Sequence, residues 1–324
     1  MNESSAMEMA ASEATASNDS VPRAYSFHPV RGCNMCGASP GRSKVLGMRL
    51  DRSIGRWPRA KRGIAVSVCR CGVCGLVYSD PQPQPRSVQD HYGIPPETYW
   101  RSITSEVPES YFASQIAIAK RLVHFTSGMS ALDIGVGLGN ATVQLSRAGF
   151  HVHGVEPSTP FRSFALERTG LSADRIRNAS IETAEFQPSS FDFITFGAVL
   201  EHLYDPAGCL ARAMRWLKPD GILHVEVPSS DHLISKLINL YFKAAGSSFV
   251  TNLSPMHSPF HLYEFTRSSF VLNGAGAGYE VVESAIDVCS IYHFPRWSHG
   301  LLRKIMVSSD TGMQLTVWLK KRRR

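Results

Sequence analysis

Apolar residues between about 111 and 319 fall into two alternating patterns. Short, almost continuous apolar runs predict buried strands at 131–134, 151–155, 191–196, 222–227 and 279–286. Segments with an apolar residue every three or four positions predict helices at 140–148, 160–169, 206–217 and 266–273. This alternation predicts an α/β fold with a doubly wound, mostly parallel sheet covered on both faces. A last alternating segment, 313–319, is predicted to pair at an edge of the sheet.

The first hundred residues differ from this pattern, and the chain is divided into five segments. Residues 1–24 are polar and acidic with little to bury, which predicts a disordered leader. Residues 25–79 hold five of the seven cysteines and are interpreted as a zinc-ribbon-like module, followed by a Pro-rich linker over 80–99. Residues 100–319 form the main domain, and 320–324 form a basic tail.

The cysteines and the apolar runs indicate where in the cell the protein is located. The longest apolar run, 191–200, is about half of the ~18 residues that a membrane-spanning helix needs, so no transmembrane segment is predicted. Seven cysteines are an odd number, and their clustering argues against a disulfide framework. A reduced, cytoplasmic location is therefore predicted.

Two short cysteine motifs predict a metal site. Cys33-Asn-Met-Cys36-Gly37 and Cys71-Gly-Val-Cys74-Gly75 each direct two thiolates to one side of a tight turn. Two such pairs complete a tetrahedral four-cysteine zinc site without an open position, which predicts a structural ion. Cys69 could replace Cys71 as a ligand, and either motif alone could be a redox pair instead.

A glycine-rich loop follows the first predicted strand of the main domain. Gly135, Gly137 and Gly139 lie between that strand and a helix, where they allow a sharp turn and a close approach of the backbone to a ligand. The spacing is not Gly-x-Gly-x-x-Gly, because the third glycine comes one residue early. Glu156 ends the next strand, where a carboxylate suits two ribose hydroxyls. The alternative for the loop and Glu156 is an ordinary turn with a surface acid.

Five motifs together resemble one family. The segments 132–139, 154–157, 190–195, 199–206 and 217–228 occur in the order and spacing of the class I S-adenosylmethionine-dependent methyltransferases, with the small-molecule branch most similar. The resemblance covers about 100–319 and implies a Rossmann-like methyltransferase sheet with S-adenosylmethionine as cofactor.

The resemblance also implies a set of cofactor-binding residues. The methionine part would lie against Asp133, Gly135, Gly137 and Gly139, and the ribose against Glu156. Ser180 and Ile181 fall where the family contacts adenine, although Ser180 departs from the acid often found there. The stretch from Phe196 to Leu200 would lie beside the sulfonium.

Two histidines are candidates for a catalytic base. His202 follows Glu201 at the end of a strand, and His261 lies in a segment that in the resembled family faces the acceptor. Each could instead be structural, with His261 in a loop that only closes the pocket. A related quinone-methylating branch has a further Glu at the position of Ala198, so its absence argues against a catalytic magnesium ion. A helical stripe from Leu233 to Tyr241 is interpreted as a packed lid.

The charge distribution bears on the partner. The net charge is +7, but residues 31–74 carry ten basic side chains against one acid, and residues 100–319 carry 17 against 19. The leading interpretation is a methyltransferase of a small-molecule or glycan acceptor with a zinc-ribbon accessory. One alternative is a nucleic-acid or protein methyltransferase that docks through the basic ribbon. Another is a protein that binds the cofactor without catalysis.

Overall fold

The computed structural model describes residues 25–51, 63–100, 103–104 and 106–322, so the predicted leader lies outside the described residues. The strands are β1 Tyr25–His28, β2 Ser43–Leu50, β3 Ala65–Cys71, β4 Val77–Asp80, β5 Gln82–Pro85, β6 Ser130–Ile134, β7 His151–Val155, β8 Ile176–Arg177, β9 Phe191–Gly197, β10 Leu217–Pro228, β11 Tyr263–Glu264, β12 Tyr279–Asp287 and β13 Gln314–Lys321. The helices are α1 Gln89–Tyr92, α2 Pro96–Tyr99, α3 Ala113–Val123, α4 Asn140–Arg147, α5 Thr159–Thr169, α6 Pro206–Trp216, α7 Leu233–Ala244, α8 Arg267–Ala277 and α9 His299–Ser308. Short 3-10 turns occur at Pro40–Arg42, Leu200–His202 and Arg296–Ser298.

The main sheet has seven strands in the order β12-β13-β10-β9-β6-β7-β8. The strands from β10 to β8 are parallel, whereas β13 runs antiparallel to both β10 and β12. The predicted doubly wound, mostly parallel α/β sheet is therefore confirmed. The edge position predicted for 313–319 is wrong, because β13 lies inside the sheet and β12 forms the edge. Leu315 and the run 317–319 of β13 are buried, as expected for a strand covered on both faces.

Two apolar clusters cover the two faces of the sheet. On one face, Ile194 and Val225 pack with Leu210 of α6 and Phe270 of α8. On the other, Phe193 and its neighbours pack with α3 and α4. Adjacent residues of β9 thus enter opposite clusters, which is the period of two expected for a strand.

Side-chain caps fix where the helices begin beside the sheet. Ser158 accepts a hydrogen bond from Phe161 N (3.3 Å) at the start of α5, and Asp205 accepts one from Gly208 N (2.9 Å) at the start of α6. Thr266 accepts one from Ser269 N (3.0 Å) at the start of α8. These bonds satisfy amides that have no partner within the helix.

The cysteine-bearing segment builds a second sheet that includes a strand from the main domain. Its order is β11-β4-β3-β2, and β11 pairs with β4 through Tyr263 opposite Tyr78. Leu76 and Tyr78 of this segment also belong to the same apolar cluster as β9 and β10. The zinc-ribbon-like segment is thus packed on the main sheet rather than standing apart from it.

The segment predicted as a linker, 80–99, is structured. Its prolines do not prevent β5 from pairing with β1 in a two-stranded antiparallel ribbon, and α1 and α2 follow. At the other end of the chain, Lys320 and Lys321 of the predicted basic tail belong to β13, where Lys321 Nζ donates to Leu217 O (2.6 Å). Among the described residues, none of the helices has the length and apolar character needed to cross a membrane.

Candidate cofactor and acceptor site

The glycine loop connects β6 to α4 in a conformation that requires glycine. Gly135, Gly137 and Gly139 have φ values of 72°, 55° and 80°, all in the left-handed region that side chains disfavour. A Cβ on Gly135 would lie 2.5 Å from Val199 Cγ2, whereas beside Gly137 the space is open apart from a carbonyl 3.9 Å away. The loop thus packs tightly on one side and leaves its backbone accessible at Gly137.

Two buried carboxylates hold the loop. Glu156, directly after β7, accepts from Gly137 N and from Ser158 N, both at 2.8 Å. Asp133 accepts from Thr142 Oγ1 of α4 at 2.7 Å. Burial raises the pKa of Asp133 to about 7 and also raises the pKa of Glu156. The acid predicted to hold a ribose is therefore already oriented by the glycine loop.

The remaining predicted cofactor residues differ in exposure. Ser180 is half-buried and its amide donates to Thr183 Oγ1, and Ile181 beside it is buried in the core. Phe196 and Leu200 are fully buried near the end of β9. Of these four residues only Ser180 is accessible, whereas the three apolar ones are buried in the core.

Glu201 joins the two candidate bases into one cluster. His202 Nε2 and His261 Nε2 each lie 3.8 Å from Glu201 Oε1, and the two imidazole centroids are 4.9 Å apart. The Glu201 carboxylate is fully buried, and no hydrogen bond to either of its oxygens is formed within the described part of the chain. The three side chains also have metal-ligand character, since one ligand atom of each lies within 4.8 Å of the others.

Burial sets the protonation of this cluster. It raises the pKa of Glu201 to about 8, lowers the pKa of His202 to about 4 and lowers the pKa of His261 well below its usual range. His202 Nδ1 lies 3.2 Å from Phe260 O, and because a carbonyl only accepts, Nδ1 donates there. Both imidazoles are therefore neutral near pH 7, as a proton acceptor must be.

The segment 89–99 packs against the cluster that contains His202, which the sequence did not lead us to expect. Tyr92 Oη lies 3.1 Å from His202 Nδ1, and its ring contacts those of Tyr99 and Phe260. The Tyr92 carbonyl accepts from Ser158 Oγ (2.7 Å), two residues after Glu156. A single short segment thus bridges the predicted cofactor and acceptor residues. The aromatic composition of 91–100 was the available signal.

Hydrogen bonds fix the position of the loop that carries His261. Tyr263, two residues after His261, donates to Tyr204 O (3.0 Å) and receives a hydrogen bond from Gln82 Nε2. Leu262 N donates to Glu201 O (2.9 Å), which links the residue before β11 to the 3-10 turn that carries His202. Together with the pairing of β11 and β4, these bonds hold the loop that carries His261 against the segment 77–82.

The four predicted zinc ligands come together. Cys33, Cys36, Cys71 and Cys74 have their sulfur atoms within 4.8 Å of one another. Two of the sulfur separations are 3.4 Å, between Cys33 and Cys74, and 3.7 Å, between Cys36 and Cys71. These are too long for a disulfide of ~2.05 Å and near the ~3.8 Å edge of a tetrahedron with ~2.3 Å Zn–S bonds. Cys69 is buried but is not part of this group.

Comparison with known proteins supports the interpretation of the glycine loop. Residues 132–225 match a sequence family described as "Methyltransferase domain". Phosphoethanolamine N-methyltransferase 2 of Caenorhabditis elegans is 33% identical over 114 residues, which cover 34% of this chain and 26% of that protein. A ubiquinone biosynthesis O-methyltransferase of Hahella chejuensis is 38% identical over 96 residues, covering 28% of this chain and 40% of the relative. These matches support an S-adenosylmethionine-dependent methyltransferase domain, and the chain spans less than half the length of each of these two relatives.

Solved structures align over a larger part of the chain but at low similarity. YcgJ from Bacillus subtilis aligns with 65% of this chain and 100% of its own at 15% identity, with a TM-score of 0.44. The 1,6-didemethyltoxoflavin-N1-methyltransferase from Burkholderia thailandensis aligns with 69% of this chain and 82% of its own at 18% identity, with a TM-score of 0.43.

Proposed function

We propose that this chain transfers a methyl group from S-adenosylmethionine to a small-molecule or glycan acceptor. The observation that carries the proposal is the buried Glu156 carboxylate, held by the Gly137 amide where β6 and β7 end side by side. Ligands of parallel α/β sheets bind at this end of the strands. The methyltransferase family match begins at Leu132, in the strand that leads into the same loop.

The residues proposed to hold the cofactor come from the end of β6 and from the loops that follow β6, β7 and β8. Asp133 and the glycine loop would contact the methionine part, Glu156 the ribose, and Ser180 with Ile181 the adenine. Bound S-adenosylmethionine supplies an activated methyl group on its sulfonium. The chain then has only to align the acceptor and, for an oxygen or nitrogen nucleophile, to remove a proton.

His202 and His261 are proposed to contact the acceptor and to accept its proton. Their side chains are 20% and 23% exposed, whereas Glu201 between them is fully buried. Tyr92 Oη and Phe260 O both lie beside His202 Nδ1, so little of this imidazole remains exposed. A small group reaches such a mostly buried side chain more easily than a flat macromolecular surface does, which favours a small-molecule or glycan acceptor.

Calorimetry with S-adenosylmethionine tests the cofactor site. The wild-type chain should bind, and Glu156→Ala should weaken binding by about 10- to 100-fold, because charge-assisted hydrogen bonds to the ribose are lost. Glu167→Ala removes an exposed carboxylate from α5 and serves as the matched control, with unchanged affinity expected. Absence of wild-type binding would refute the proposal, and a screen of labelled methyl transfer to metabolite and glycan pools would identify the acceptor.

We further propose that the four-cysteine cluster holds a structural zinc ion. Its donor set is four thiolates, and Gly37 and Gly75, with φ values of 70° and 79°, close the two turns. Four protein ligands leave no position for a substrate. The ion would therefore stabilise the second sheet rather than take part in methyl transfer.

Metal analysis tests the zinc proposal with two serine variants. The purified chain should contain about one zinc per molecule, and Cys36→Ser should lose most of it. Cys69→Ser should keep its zinc, because Cys69 lies outside the cluster. Equal loss in both variants would contradict the assignment of Cys71 as the fourth ligand. The predicted cytoplasmic location would keep these thiols reduced.

A further inference from the structure

A buried arginine of the second sheet holds the chain segment that leads to His261. Arg49 lies in β2 and is only 5% exposed. Its Nη1 donates to Val250 O (3.0 Å). Its Nη2 lies 3.4 Å from His257 Nε2, which is the acceptor because a guanidinium only donates. One side chain therefore joins two points of the segment 250–261.

An acid from the opposite edge of the second sheet holds the same segment. Glu264 of β11 accepts from Leu253 N (3.1 Å) and from Asn252 Nδ2 (2.5 Å). Burial lowers the pKa of Arg49 to about 10, and the charge of Glu264 acts against this lowering, so Arg49 remains a cation near pH 7. The two outer strands of the sheet, β2 and β11, thus each contribute one polar side chain to the segment.

The segment contains two strained residues. Leu253 and Phe260 have φ values of 64° and 65°, in the left-handed region that bulky side chains disfavour. Such a backbone persists only where the surrounding contacts hold it. The amide of Leu253 is the one that donates to Glu264. The carbonyl of Phe260 is the one that lies 3.2 Å from His202 Nδ1.

Backbone hydrogen bonds continue from the arginine contact to His261. His257 N donates to Ser254 O (3.3 Å), and Ser254 N donates to His261 O (3.1 Å). His261 N donates in turn to Ser254 Oγ (3.2 Å). The residue that Arg49 contacts is thus tied to His261 through one serine.

We propose that Arg49 is a positioning residue for both candidate bases, acting through the segment 250–261. With Glu264, it keeps Phe260 O against His202 Nδ1, which confines the lone pair of the neutral His202 imidazole to Nε2. An apolar side chain would fill the same space without the cost of burying a cation, so the specific gain from arginine is its directed hydrogen bonds. The proposal rests on the proposed role of the two histidines in methyl transfer.

Nitrogen-15 NMR of the histidine side chains tests the proposal on the full chain, without cofactor or acceptor. Wild-type His202 should be protonated at Nδ1, and its signals are assigned by their loss in His202→Gln. In Arg49→Met the His202 tautomers should become mixed, because Phe260 O is no longer held against Nδ1. Arg49→Lys keeps a buried cation but lacks the fork that reaches two acceptors, so a smaller change is expected.

Arg70→Met is the matched control. Arg70 belongs to β3 of the same sheet, but its guanidinium donates to Ser230 O (3.2 Å) and Asp231 Oδ1 (3.0 Å). This variant should leave the His202 tautomer unchanged. With an acceptor identified by methyl transfer, Arg49→Met should lower kcat at least about tenfold while S-adenosylmethionine affinity changes by less than about threefold.

Two results would overturn the proposal. One is a His202 tautomer that is the same in the wild-type chain and in the Arg49 variants, with Arg49→Lys deciding if Arg49→Met does not fold. The other is an equal change in Arg49→Met and Arg70→Met, which would assign the effect to general loosening of the sheet. A wild-type chain that does not bind S-adenosylmethionine would instead refute the methyltransferase proposal, and the NMR result would still stand.

Discussion

At the scale of single residues, Gly135 and Gly170 illustrate two different reasons why a position favours glycine. One is a left-handed backbone, and the other is a lack of space for a side chain. Both have positive φ values, 72° and 66°. A Cβ on Gly135 would also lie 2.5 Å from Val199 Cγ2, whereas nothing lies within 4 Å of a Cβ on Gly170, which follows α5. A side chain is thus unfavourable for the backbone at both positions, and only at Gly135, in the glycine loop, does a steric clash add to this cost.

Gly135→Ala should lower the free energy of unfolding by about 2–4 kcal/mol, from the left-handed φ and the overpacking together. Gly170→Ala should lower it by only about 1 kcal/mol. Urea unfolding with an unchanged m value measures both. S-adenosylmethionine affinity should fall in Gly135→Ala and not in Gly170→Ala. Equal effects of the two variants on that affinity would show that the loop does not contact the cofactor.

His202 allows a prediction about rate and pH. If His202 accepts the acceptor's proton, His202→Gln should lower kcat by about 10²- to 10⁴-fold. Because burial lowers the pKa of His202 to about 4, the imidazole is neutral above about pH 5, and its contribution to kcat/KM should be flat from there to about pH 8. A fall of less than about threefold in His202→Gln would assign the residue a structural role.

The sequence predicted which residue types form the site but not which residues meet. Gly135 and Glu156 are separated by a regular strand–helix–strand unit, so their proximity follows from the alternating pattern. Tyr92 comes from a segment predicted to be a linker, and its contact with His202 joins residues 110 positions apart. Local patterns contain no information on such a contact. Glu201 was visible in the sequence, but its burial between two histidines depends on the position of His261.

At the scale of elements, the pairing of β11 with β4 connects the four-cysteine cluster to the loop that carries His261. Tyr263 of β11 lies opposite Tyr78, and Thr266 Oγ1 donates to Cys74 O (2.5 Å). This two-residue strand was not predicted, because a strand so short has no periodicity to detect. Its partner, β4, lies in the cysteine-bearing sheet and is distant in the sequence.

Removal of the proposed zinc should therefore lower kcat/KM for the acceptor more than it lowers the affinity for S-adenosylmethionine. Cys36→Ser, or the wild-type chain after chelation, should lose at least about tenfold in kcat/KM for the acceptor while S-adenosylmethionine affinity changes by less than about threefold. Cys69→Ser is the control. Calorimetry and a methyl-transfer assay give the two quantities, and parallel losses in both would show that the cluster supports the whole fold.

At the scale of the whole molecule, buried titratable groups determine how stability depends on pH. Burial lowers the pKa of His153, His202 and His232 to about 4 and that of His224 to about 3. Below about pH 6.5 the unfolded chain binds more protons at these positions than the folded chain does, so they make stability fall as pH falls.

Buried acids act in the opposite direction. Burial raises the pKa of Asp133 to about 7 and that of Glu201 to about 8. Above about pH 4 the folded chain therefore holds protons that the unfolded chain has lost, and the stability they contribute is lost as pH rises through about 7 to 8. The pKa of His261 is lowered too, and burial also raises the pKa values of Glu156 and Glu264. Below about pH 6.5 five histidines therefore act against four acids, whereas above it the histidines no longer contribute and these acids still do. Stability is therefore expected to be greatest near about pH 6 to 7.

His224 gives a specific test of the acid side of this dependence. His224 is fully buried, so His224→Gln should remove about 3 kcal/mol of the stability difference between about pH 7 and about pH 4. His28→Gln, at an exposed position, is the control. Urea unfolding at a series of pH values measures the slope. An unchanged slope in His224→Gln would assign the acid sensitivity to other groups.

The interior position of β13 has a consequence for how the protein is made. β13 spans residues 314–321, yet it is paired on both sides, with β10 and with β12. During synthesis, β10 and β12 therefore emerge before the strand that separates them exists, and each presents an unpaired edge. The nascent chain must avoid joining these two strands directly or aggregating through them until residues 314–321 have left the ribosome. A chain halted before residue 314 would be a substrate for chaperones rather than a partly working enzyme.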